Sequence, residues 1–271
     1  MEPALVSCLM VTSGTRERLR WIECAIHNYC RQSYTNTELI VVLDLQLMSC
    51  RDALARIIAT AGRVDIKLIE PTRALTLGAL RNLSMDAARG EYVCVWDDDD
   101  VYHHRRIELQ LTHLQAHGQD AVVLGDCFHI FLEQRRCYWT NWSRTTHRGL
   151  PGSLFVRRDH GLRYPESGVC SRSGEDSDLL LRLLAVAHTG VTMAPPVLYA
   201  YQFHGRNTWP LMHHVRVACS LSEDRSQLEL NRSMLECGLR ELALSIPSVT
   251  MCDRNGPVFT VSLDQSATHQ A

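Results

Sequence analysis

The stretch EYVCVWDDDDVYHHRR, Glu91 to Arg106, joins an apolar strand to a run of acidic residues. Tyr92 to Trp96 have the composition of a buried strand, and Asp97 to Asp100 follow directly. Four adjacent carboxylates at the end of such a strand repel one another, and burial disfavours ionising them together. The pattern therefore predicts a positive partner here. A hard divalent cation with oxygen ligands meets this need and usually holds substrate phosphates as well.

Composition limits the remaining classes of function. The chain has 271 residues, 45% of them hydrophobic, and a net charge of −2, which suits one large α/β domain or two small ones. With this net charge, the chain has no overall positive field that would favour binding to nucleic acid or to an anionic membrane surface. Lys67 is the only lysine and lies in the strand-like stretch VDIKLIE, so a Walker A loop and a lysine Schiff base are excluded.

Cysteine usage and the apolar segments indicate the compartment. Eleven cysteines occur without a C-x-x-C pair, which is typical of buried free thiols in a reducing compartment. The N-terminal apolar run lacks a basic flank and a cleavage site, so we interpret it as a first strand. No window approaches the ~20 apolar residues that span a bilayer. We expect a cytoplasmic protein, for which peripheral attachment to the inner face of the membrane stays open.

Strand-length and helix-length patterns alternate in the first half of the chain. Strands are predicted at Leu5–Val11, Glu38–Leu43, Val64–Glu70 and Tyr92–Trp96, with amphipathic helical patterns between them. This alternation predicts an α/β fold with a Rossmann-like, mostly parallel sheet and helices on both faces. Ligands of such sheets bind beyond the carboxyl ends of the strands, where the aspartate run lies.

The pattern is less regular in the second half. Helices are predicted at about His104–His117 and Glu175–Ala187, and a strand at Val197–Tyr201. Regularly spaced leucines predict one amphipathic helix from Ser220 to Leu244, and the last twenty residues have a polar, loosely ordered composition.

Other carboxylate motifs fit the aspartate run poorly. An EF-hand loop requires a glycine that DDDDVYHHRRIE lacks, and an Asp-x-Asp-x-Thr phosphatase requires a threonine near Val101 and a downstream lysine. A solvated acidic turn remains the structural alternative.

Three segments, taken in order, resemble the nucleotide-sugar-binding core of family 2 glycosyltransferases, which have the GT-A fold. They are VSCLMVTSGTRERLRWIECAIHNYCRQSYTNTELIVVLD, LGALRNLSMDAARGEYVCVWDDDDVYHHRRIELQLTHL and GEDSDLLLRL, and the resemblance covers roughly Leu5 to Trp209. It implies a metal-dependent, inverting transfer from a nucleotide sugar, with UDP as the expected nucleotide. It also implies a domain at 1–215, with a donor half at about 1–120 and an acceptor half at about 121–215, before a C-terminal helix and polar tail at 216–271.

The resemblance assigns the donor-binding residues by position. Thr12, with Arg16 nearby, matches the loop that flanks the nucleoside, and Asp44 matches the acidic residue that reads the uracil ring. The chain continues as DLQLMS where family members often have Asp-Gly-Ser. Arg81 and Asn82 match a pair near the diphosphate and ribose, where a guanidinium can fork onto phosphate oxygens.

The same resemblance assigns the metal ligands. Asp97 and Asp99 match the motif aspartates, with Asp98 at the variable position among the donor-binding residues. Asp97 reaches the ribose or the metal, and Asp99 ligates the Mn²⁺ or Mg²⁺ that bridges the diphosphate. Asp100 is expected to contact these aspartates without ligating the metal itself. Four aspartates in a row leave the register open by one residue.

The base and the donor cover are also assigned by resemblance. Asp176 matches the usual base of a Glu-Asp motif, with Glu175 orienting the acceptor. Helix capping is the alternative for both, because acidic residues in a first turn stabilise the macrodipole. Asp178 is expected to serve the helix. His204 matches a histidine segment that closes over the donor.

Several aromatic residues and histidines stay without a firm role. Trp139, Trp142 and Trp209 either stack on sugar rings or belong partly to the core. The pairs His103–His104 and His213–His214 lack cysteines or carboxylates at ligand spacing and are predicted to lie on the surface.

Two other functions remain open. A sugar nucleotidyltransferase would share the sheet, although VTSGTRER has one glycine where Gly-x-Gly-x-Arg is typical. A non-catalytic nucleotide- or glycan-binding protein is the second. For a transferase the acceptor is a glycan, a lipid-linked sugar or a protein, and the C-terminal helix is a candidate contact for a homo-oligomer.

Overall fold

The computed structural model describes residues 3–45, 50–193 and 197–263. Within these ranges the strands are β1 Val6–Thr12, β2 Thr37–Leu43, β3 Ile66–Ile69, β4 Tyr92–Val95, β5 Val101–Tyr102, β6 Ala121–Leu124, β7 Asp126–Phe131, β8 Arg136–Asn141, β9 Phe155–Arg157, β10 Thr189–Thr192, β11 Tyr199–Phe203, β12 Ser248–Asp253 and β13 Gly256–Ser262. The α-helices are α1 Leu19–Cys30, α2 Arg51–Thr60, α3 Leu77–Ala87, α4 Arg106–Ala116, α5 Glu175–Val186, α6 Leu211–Leu221, α7 Arg225–Leu230 and α8 Arg232–Glu241.

A seven-stranded sheet forms the centre, in the order β10-β6-β9-β4-β1-β2-β3. Only β9 runs antiparallel to its neighbours in this sheet. Apolar side chains of α1, α2 and α4 pack on one face, and those of α3 and α5 pack on the other. The near-continuous apolar strands are explained by this burial on both faces. The predicted α/β fold is confirmed.

The strand order brings three acidic or polar strand ends together. β1 pairs with β2 on one side and with β4 on the other, and all three are parallel. Their carboxyl ends therefore meet at one edge, where Thr12 ends β1, Asp44 follows β2, and Asp97–Asp100 follow β4. Residues that are far apart in the chain thus share one edge.

A six-stranded sheet, in the order β13-β12-β8-β7-β11-β5, lies across the aspartate run. The two-residue strand β5 begins directly after Asp100 and pairs antiparallel with β11. β11 in turn runs parallel to β7. The second sheet therefore holds the aspartate run from the side opposite β4.

The predicted single helix at Ser220–Leu244 is wrong, because the segment contains the end of α6 followed by α7 and α8. The chain breaks at Ser222, which bridges to Thr140, and Asp224 then caps α7 by accepting from the Gln227 N–H at 3.0 Å. The leucines that suggested an interface helix are buried and are not available for an interface. Leu228, Leu235, Leu239 and Leu242 belong to the core beside the second sheet.

The predicted loose C-terminus is also wrong for the residues that the structure describes. β12 and β13 form an antiparallel hairpin, and β12 extends the second sheet by pairing with β8. The alternating burial of β13 matches a half-exposed edge strand. Residues 264–271 lie outside the described ranges.

The eleven cysteines are free thiols; five of them are buried as predicted, whereas Cys219 and Cys237 are exposed. Among the described residues, no helix is both long enough and apolar enough to cross a bilayer.

Candidate active site

A cavity of about 520 Å³ opens at the carboxyl edge of the central sheet and is lined by residues of both sheets. Most of the residues that the sequence singled out lie in its wall. They are Thr12, Asp44, Arg81, Asp97, Asp98, Asp99, Glu175 and Asp176. The cavity is therefore the candidate active site.

Asp98 and Asp99 are held by an arginine from the start of α1. Arg18 Nε donates to Asp98 Oδ2 at 3.1 Å, and its Nη2 contacts both Asp98 Oδ1 and, at 2.8 Å, Asp99 Oδ2. The Thr12 hydroxyl donates to Asp98 Oδ2 at 2.5 Å. Burial raises the pKa of Asp98. Burial acts the same way on Asp99, but Arg18 and His204 outweigh it and lower the pKa of Asp99 to about 2.

Arg81 joins the two halves of the site. Its Nη2 donates to Asp97 Oδ1 at 3.0 Å, and its Nε donates to Glu175 Oε1 at 2.7 Å. Arg81 lies on α3, and the hydroxyl of Thr76, the residue before the helix, caps it by accepting from the Ala79 N–H. Burial still raises the pKa of Asp97 despite this pairing. One cation thus links the end of β4 to the start of α5.

Asp100 faces away from the two arginines and is held by the second sheet. The Tyr199 hydroxyl donates to its Oδ2 at 2.6 Å, and the Gln202 N–H donates to its Oδ1 at 2.9 Å. Burial raises the pKa of Asp100 well above its usual range, and the neighbouring carboxylates Asp99 and Asp97 add to the shift. Both oxygens of Asp100 are therefore committed to the protein.

Asp176 presents a carboxyl group to the cavity from the first turn of α5. Gly174 precedes the helix with φ of 78°, a left-handed conformation that glycine adopts without strain. The Ser177 N–H donates to Asp176 Oδ1 at 2.7 Å. Burial and then the neighbouring Glu175 raise the pKa of Asp176 to about 6. Asp178 points elsewhere and pairs with Arg182 at 2.8 Å, as expected of a residue that serves the helix.

Three predicted residues lie outside the cavity wall. Arg16 is exposed, and Arg18, two residues on, reaches the aspartates instead. Asn82 is buried and holds a neighbouring loop, because its amide donates to the Tyr164 carbonyl at 3.0 Å and its Oδ1 accepts from the Tyr164 N–H. His204 Nε2 donates to Asp99 Oδ2 at 3.0 Å, so Asp99 stands between the imidazole and the cavity.

The sequence interpretation did not single out several residues of the wall. Arg18 is one of three arginines in TSGTRERLR, and the sequence does not show that it is the one directly before α1. Tyr199, Tyr201 and Arg172 line the cavity as well, and no local pattern marks them. Of the three tryptophans discussed above, Trp142 and Trp209 lie in the wall, whereas Trp139 donates its indole N–H to Asp126.

The donor groups in the wall fit a hard divalent cation. Seven carboxyl groups (Asp44, Asp97 to Asp100, Glu175 and Asp176) lie there with three guanidinium groups (Arg18, Arg81 and Arg172). An entering diphosphate would add negative charge, which a divalent cation offsets. The hydrogen bonds of the described residues leave Oδ2 of Asp97 and Oδ1 of Asp99 unused, whereas both oxygens of Asp98 and of Asp100 are engaged. The free oxygens therefore belong to the two predicted motif aspartates.

The predicted surface position of the histidine pairs is wrong for one member of each pair. His103 and His214 are fully buried. His214 Nδ1 lies 3.0 Å from His129 Nε2 under α6. His103 contacts Glu241 at the end of α8, a carboxylate that is distant in the sequence. Sequence spacing could not reveal either partner.

Comparison with known proteins places the chain in a family. The model of glycosyl transferase family 2 matches residues 14–170, which is more than half of the chain. The chain belongs to glycosyl transferase family 2, and its fold is the GT-A fold of that family's structures.

Among curated relatives, a Bacillus subtilis protein named as a glycosyltransferase of teichuronic acid biosynthesis, TuaG, is 24% identical over 165 residues. The match covers 60% of this chain and 56% of TuaG. An uncharacterised glycosyltransferase of Methanocaldococcus jannaschii is 27% identical over 115 residues, or 42% of this chain and 39% of that protein. The chain thus spans little more than half the length of the first of these relatives, and less of the second.

Two solved structures share the fold. Residues 1–349 of S. aureus TarS in complex with UDP superpose with a TM-score of 0.58 at 14% identity, covering 87% of this chain and 79% of that chain. The mannosyltransferase PcManGT from Pyrobaculum calidifontis, in complex with GDP-Man and Mn²⁺, superposes with a TM-score of 0.54 at 17% identity, covering 79% and 60%.

Proposed function

We propose that this chain transfers a sugar from a nucleoside-diphosphate sugar, with UDP as the expected nucleotide, to an acceptor hydroxyl with inversion of the anomeric centre. The observation that carries the proposal is the bridge made by Arg81. This one guanidinium contacts Asp97 at the proposed metal end and Glu175 beside the proposed base, Asp176, in the wall of a single cavity. The cavity therefore contains groups that could stabilise the leaving diphosphate and a group that could remove the proton of the acceptor hydroxyl.

The donor end is formed by the strand ends. Thr12 and Asp44 lie where a nucleoside would enter, and TarS, a relative in fold, binds UDP. Asp99 and Asp97 would hold a Mn²⁺ or Mg²⁺ ion through their unused oxygens, and such an ion supplies positive charge that stabilises a leaving diphosphate. Arg18 and Arg81 hold the aspartates in place, and the unused oxygens support the register Asp97 and Asp99 over a slip by one residue.

The acceptor end is formed by α5. Asp176, with a pKa of about 6, is mostly ionised at neutral pH and can take the proton of the acceptor hydroxyl. The acceptor oxygen forms its new bond to the anomeric carbon as the bond from that carbon to the diphosphate breaks, and the proton ends on the Asp176 carboxylate. A single displacement of this kind inverts the anomeric centre. Glu175, held by Arg81, would orient the acceptor.

The named relatives and the cavity wall support a sugar-containing acceptor. TuaG is named for teichuronic acid biosynthesis, which supports a role in making a cell-surface polysaccharide on a glycan, lipid-linked or protein acceptor. Trp142 and Trp209 lie in the wall, where an indole face can stack on a sugar ring. A cytoplasmic site of action, soluble or peripheral at the membrane, would suit a nucleotide-sugar donor.

Donor turnover tests the proposal. The purified chain is incubated with a panel of UDP- and GDP-sugars, with Mn²⁺, Mg²⁺ or EDTA, and the released nucleotide is measured with water or a glycan as acceptor. Binding of each nucleotide is followed separately by thermal shift, because a ligand of the folded state raises its stability without an acceptor. We expect a UDP-sugar and Mn²⁺ to give the largest signals.

Two variants and one control locate the chemistry. Asp176→Asn should lower turnover by about 10²–10⁴-fold while nucleotide binding persists, and Asp99→Asn should weaken the Mn²⁺-dependent nucleotide shift. Asp178→Asn, from the same helical turn, should change neither. Full turnover by Asp176→Asn, or equal nucleotide shifts with Mn²⁺ and EDTA in the parent chain, would contradict these roles.

A further inference from the structure

Three potential metal ligands meet at a place outside the cavity wall. His103 and His104 lie between β5 and α4, and Glu241 ends α8. One ligand atom from each lies within 4.8 Å of the other two. His103 is fully buried and its Nε2 hydrogen-bonds to Glu241 Oε2, while the two imidazole rings lie 4.3 Å apart between centroids.

The chemistry of this cluster differs from that of the active site. Two imidazole nitrogens and one carboxylate oxygen form a ligand set typical of Zn²⁺ and similar transition metals, whereas Mg²⁺ and Ca²⁺ prefer oxygen alone. Cys237 lies one helical turn before Glu241, and its thiol is 3.4 Å from Glu241 Oε1. A thiolate or a water molecule is thus available as a fourth ligand.

A simple ion pair between His103 and Glu241 is the competing explanation. An ion pair needs only one imidazole and one carboxylate, whereas here a ligand atom of a second imidazole, that of His104, lies within 4.8 Å of both others. An ion pair also gives no role to His104. The nearby charges of Arg105 and Glu108 pair with each other at 3.1 Å, and neither side chain forms an ion pair with the cluster.

We propose that His103, His104 and Glu241 bind one Zn²⁺ ion, with Cys237 or water as the fourth ligand. The ion ties α8 to the segment that follows Asp97–Asp100, and its role is structural. β5, which ends one residue before His103, pairs with β11, which carries the Tyr199 hydroxyl and the Gln202 backbone N–H that hold Asp100. The site takes no part in the proposed transfer reaction and does not depend on it.

Binding requires a proton to move within the His103 ring. In the metal-free form Nδ1 accepts from the Arg105 N–H at 3.1 Å, so Nε2 carries the proton that faces Glu241. Ligation through Nε2 requires that proton to leave, and the neutral ring then carries its proton on Nδ1. The contact from the Arg105 N–H therefore opens when the ion binds.

Metal titration of the whole 271-residue chain tests the site. The protein is stripped with EDTA, exchanged into metal-free buffer, and titrated with Zn²⁺ in competition with a chromogenic chelator. We expect one ion per chain and a rise in Tm of roughly 5–10 °C at a free Zn²⁺ concentration one hundred times Kd. Co²⁺ should give the visible absorption of a four-coordinate site.

Matched variants locate the ion. His104→Ala and Glu241→Gln should each weaken Zn²⁺ binding by more than about tenfold. Glu241→Gln keeps a side chain that can contact His103, so it should fold. The controls are Glu236→Gln, also on α8, and His113→Ala, which removes one member of the neighbouring stacked pair His113–His117. Both controls should bind as the parent does.

Three results would overturn the proposal. The first is no stoichiometric Zn²⁺ binding by the parent chain. The second is unchanged binding in both His104→Ala and Glu241→Gln. The third is loss of the Co²⁺ absorption in His113→Ala or in Asp99→Asn, which would assign the ion to the other histidine pair or to the candidate active site.

Discussion

Replacing Arg81 with methionine should reveal how strongly the candidate active site depends on one buried cation. The change removes the donors to Asp97 and Glu175 while keeping most of the side-chain volume. The Arg81 side chain is 11% exposed and that of Glu175 is 3% exposed, so solvent can do little to compensate. Both carboxylates would be left without their partner in a cavity already rich in negative charge.

The magnitude follows from that burial. Removing one partner of a buried ion pair costs about 3–5 kcal/mol, because the remaining charge is stranded. At roughly 2–4 °C of Tm per kcal/mol for a chain of this size class, Tm should fall by roughly 6–20 °C. Burial raises the pKa of Asp97, and the Arg81 charge limits that increase. Without Arg81 the pKa of Asp97 should therefore rise further. The freed Asp97 carboxyl group then takes up a proton more readily, and the loss of stability should be smaller at pH 5 than at pH 7.5.

The assay is urea unfolding followed by tryptophan fluorescence, at both pH values. The parent, Arg81→Met, Glu175→Gln and the double variant complete a double-mutant cycle. Adding Glu175→Gln to Arg81→Met should restore part of the lost stability, because one stranded charge is removed. Arg182→Met is the control, since its pair with Asp178 is more than one-third exposed and should contribute less than about 1 kcal/mol. The reasoning is refuted if Arg81→Met loses no more stability than the control, or if the loss is equal at both pH values.

Three further predictions concern other parts of the molecule. Gly78→Ala should lower the free energy of unfolding by about 1–3 kcal/mol, because the new Cβ would lie 1.9 Å from the Pro165 carbonyl oxygen. Gly238→Ala, where the space is open to ordinary contact, should instead raise it by about 0.5–1 kcal/mol; equal effects in urea unfolding would contradict this. Burial raises the pKa of Asp126 from 3.8 to about 6, so the folded state binds its proton more tightly and the stability contribution is lost as pH rises through this interval. Above pH 6, Asp126→Asn should therefore have a higher Tm than the parent and a free energy of unfolding higher by on the order of 3 kcal/mol, and the two proteins should match near pH 4. Curves of Tm against pH that stay parallel would exclude this explanation. Donor turnover should rise with pH to a plateau above about 6, where Asp176 is ionised, and a pH–rate profile without a limb near that value would remove Asp176 as the base.

The central sheet could be predicted because its signals are local. Each strand of the first half is an apolar run, and each helix between them has an apolar stripe, so the alternation indicates a parallel sheet without knowledge of any contact. The aspartate run then marks the edge at which a ligand binds. The second sheet was only partly predictable, because β5 has two residues and the hairpin of β12 and β13 has a half-polar composition.

Site residues divide along the same line. Asp97, Asp99, Arg81 and Asp176 stand in motifs whose spacing is visible in the chain, and the structure gathers them in one cavity. The sequence could not show whether Arg16 or Arg18 reaches the aspartates, because both follow the same strand. The choice depends on where α1 begins and on the direction in which each side chain then points. The resemblance placed Asn82 near the donor, but the structure uses it to hold the loop at Tyr164.

Sequence periodicity alone was sufficient for the α/β class, for the mostly parallel sheet and for the edge at which the acidic residues collect, since those features depend on the repeat of apolar side chains along short segments. Packing of distant segments decided which cations hold the aspartates, that the C-terminal leucines enter the core, and that His103 and His104 meet Glu241. The physical reason is that such contacts depend on where separate elements come to rest in three dimensions, and the pattern within any one element carries no information about its distant neighbours.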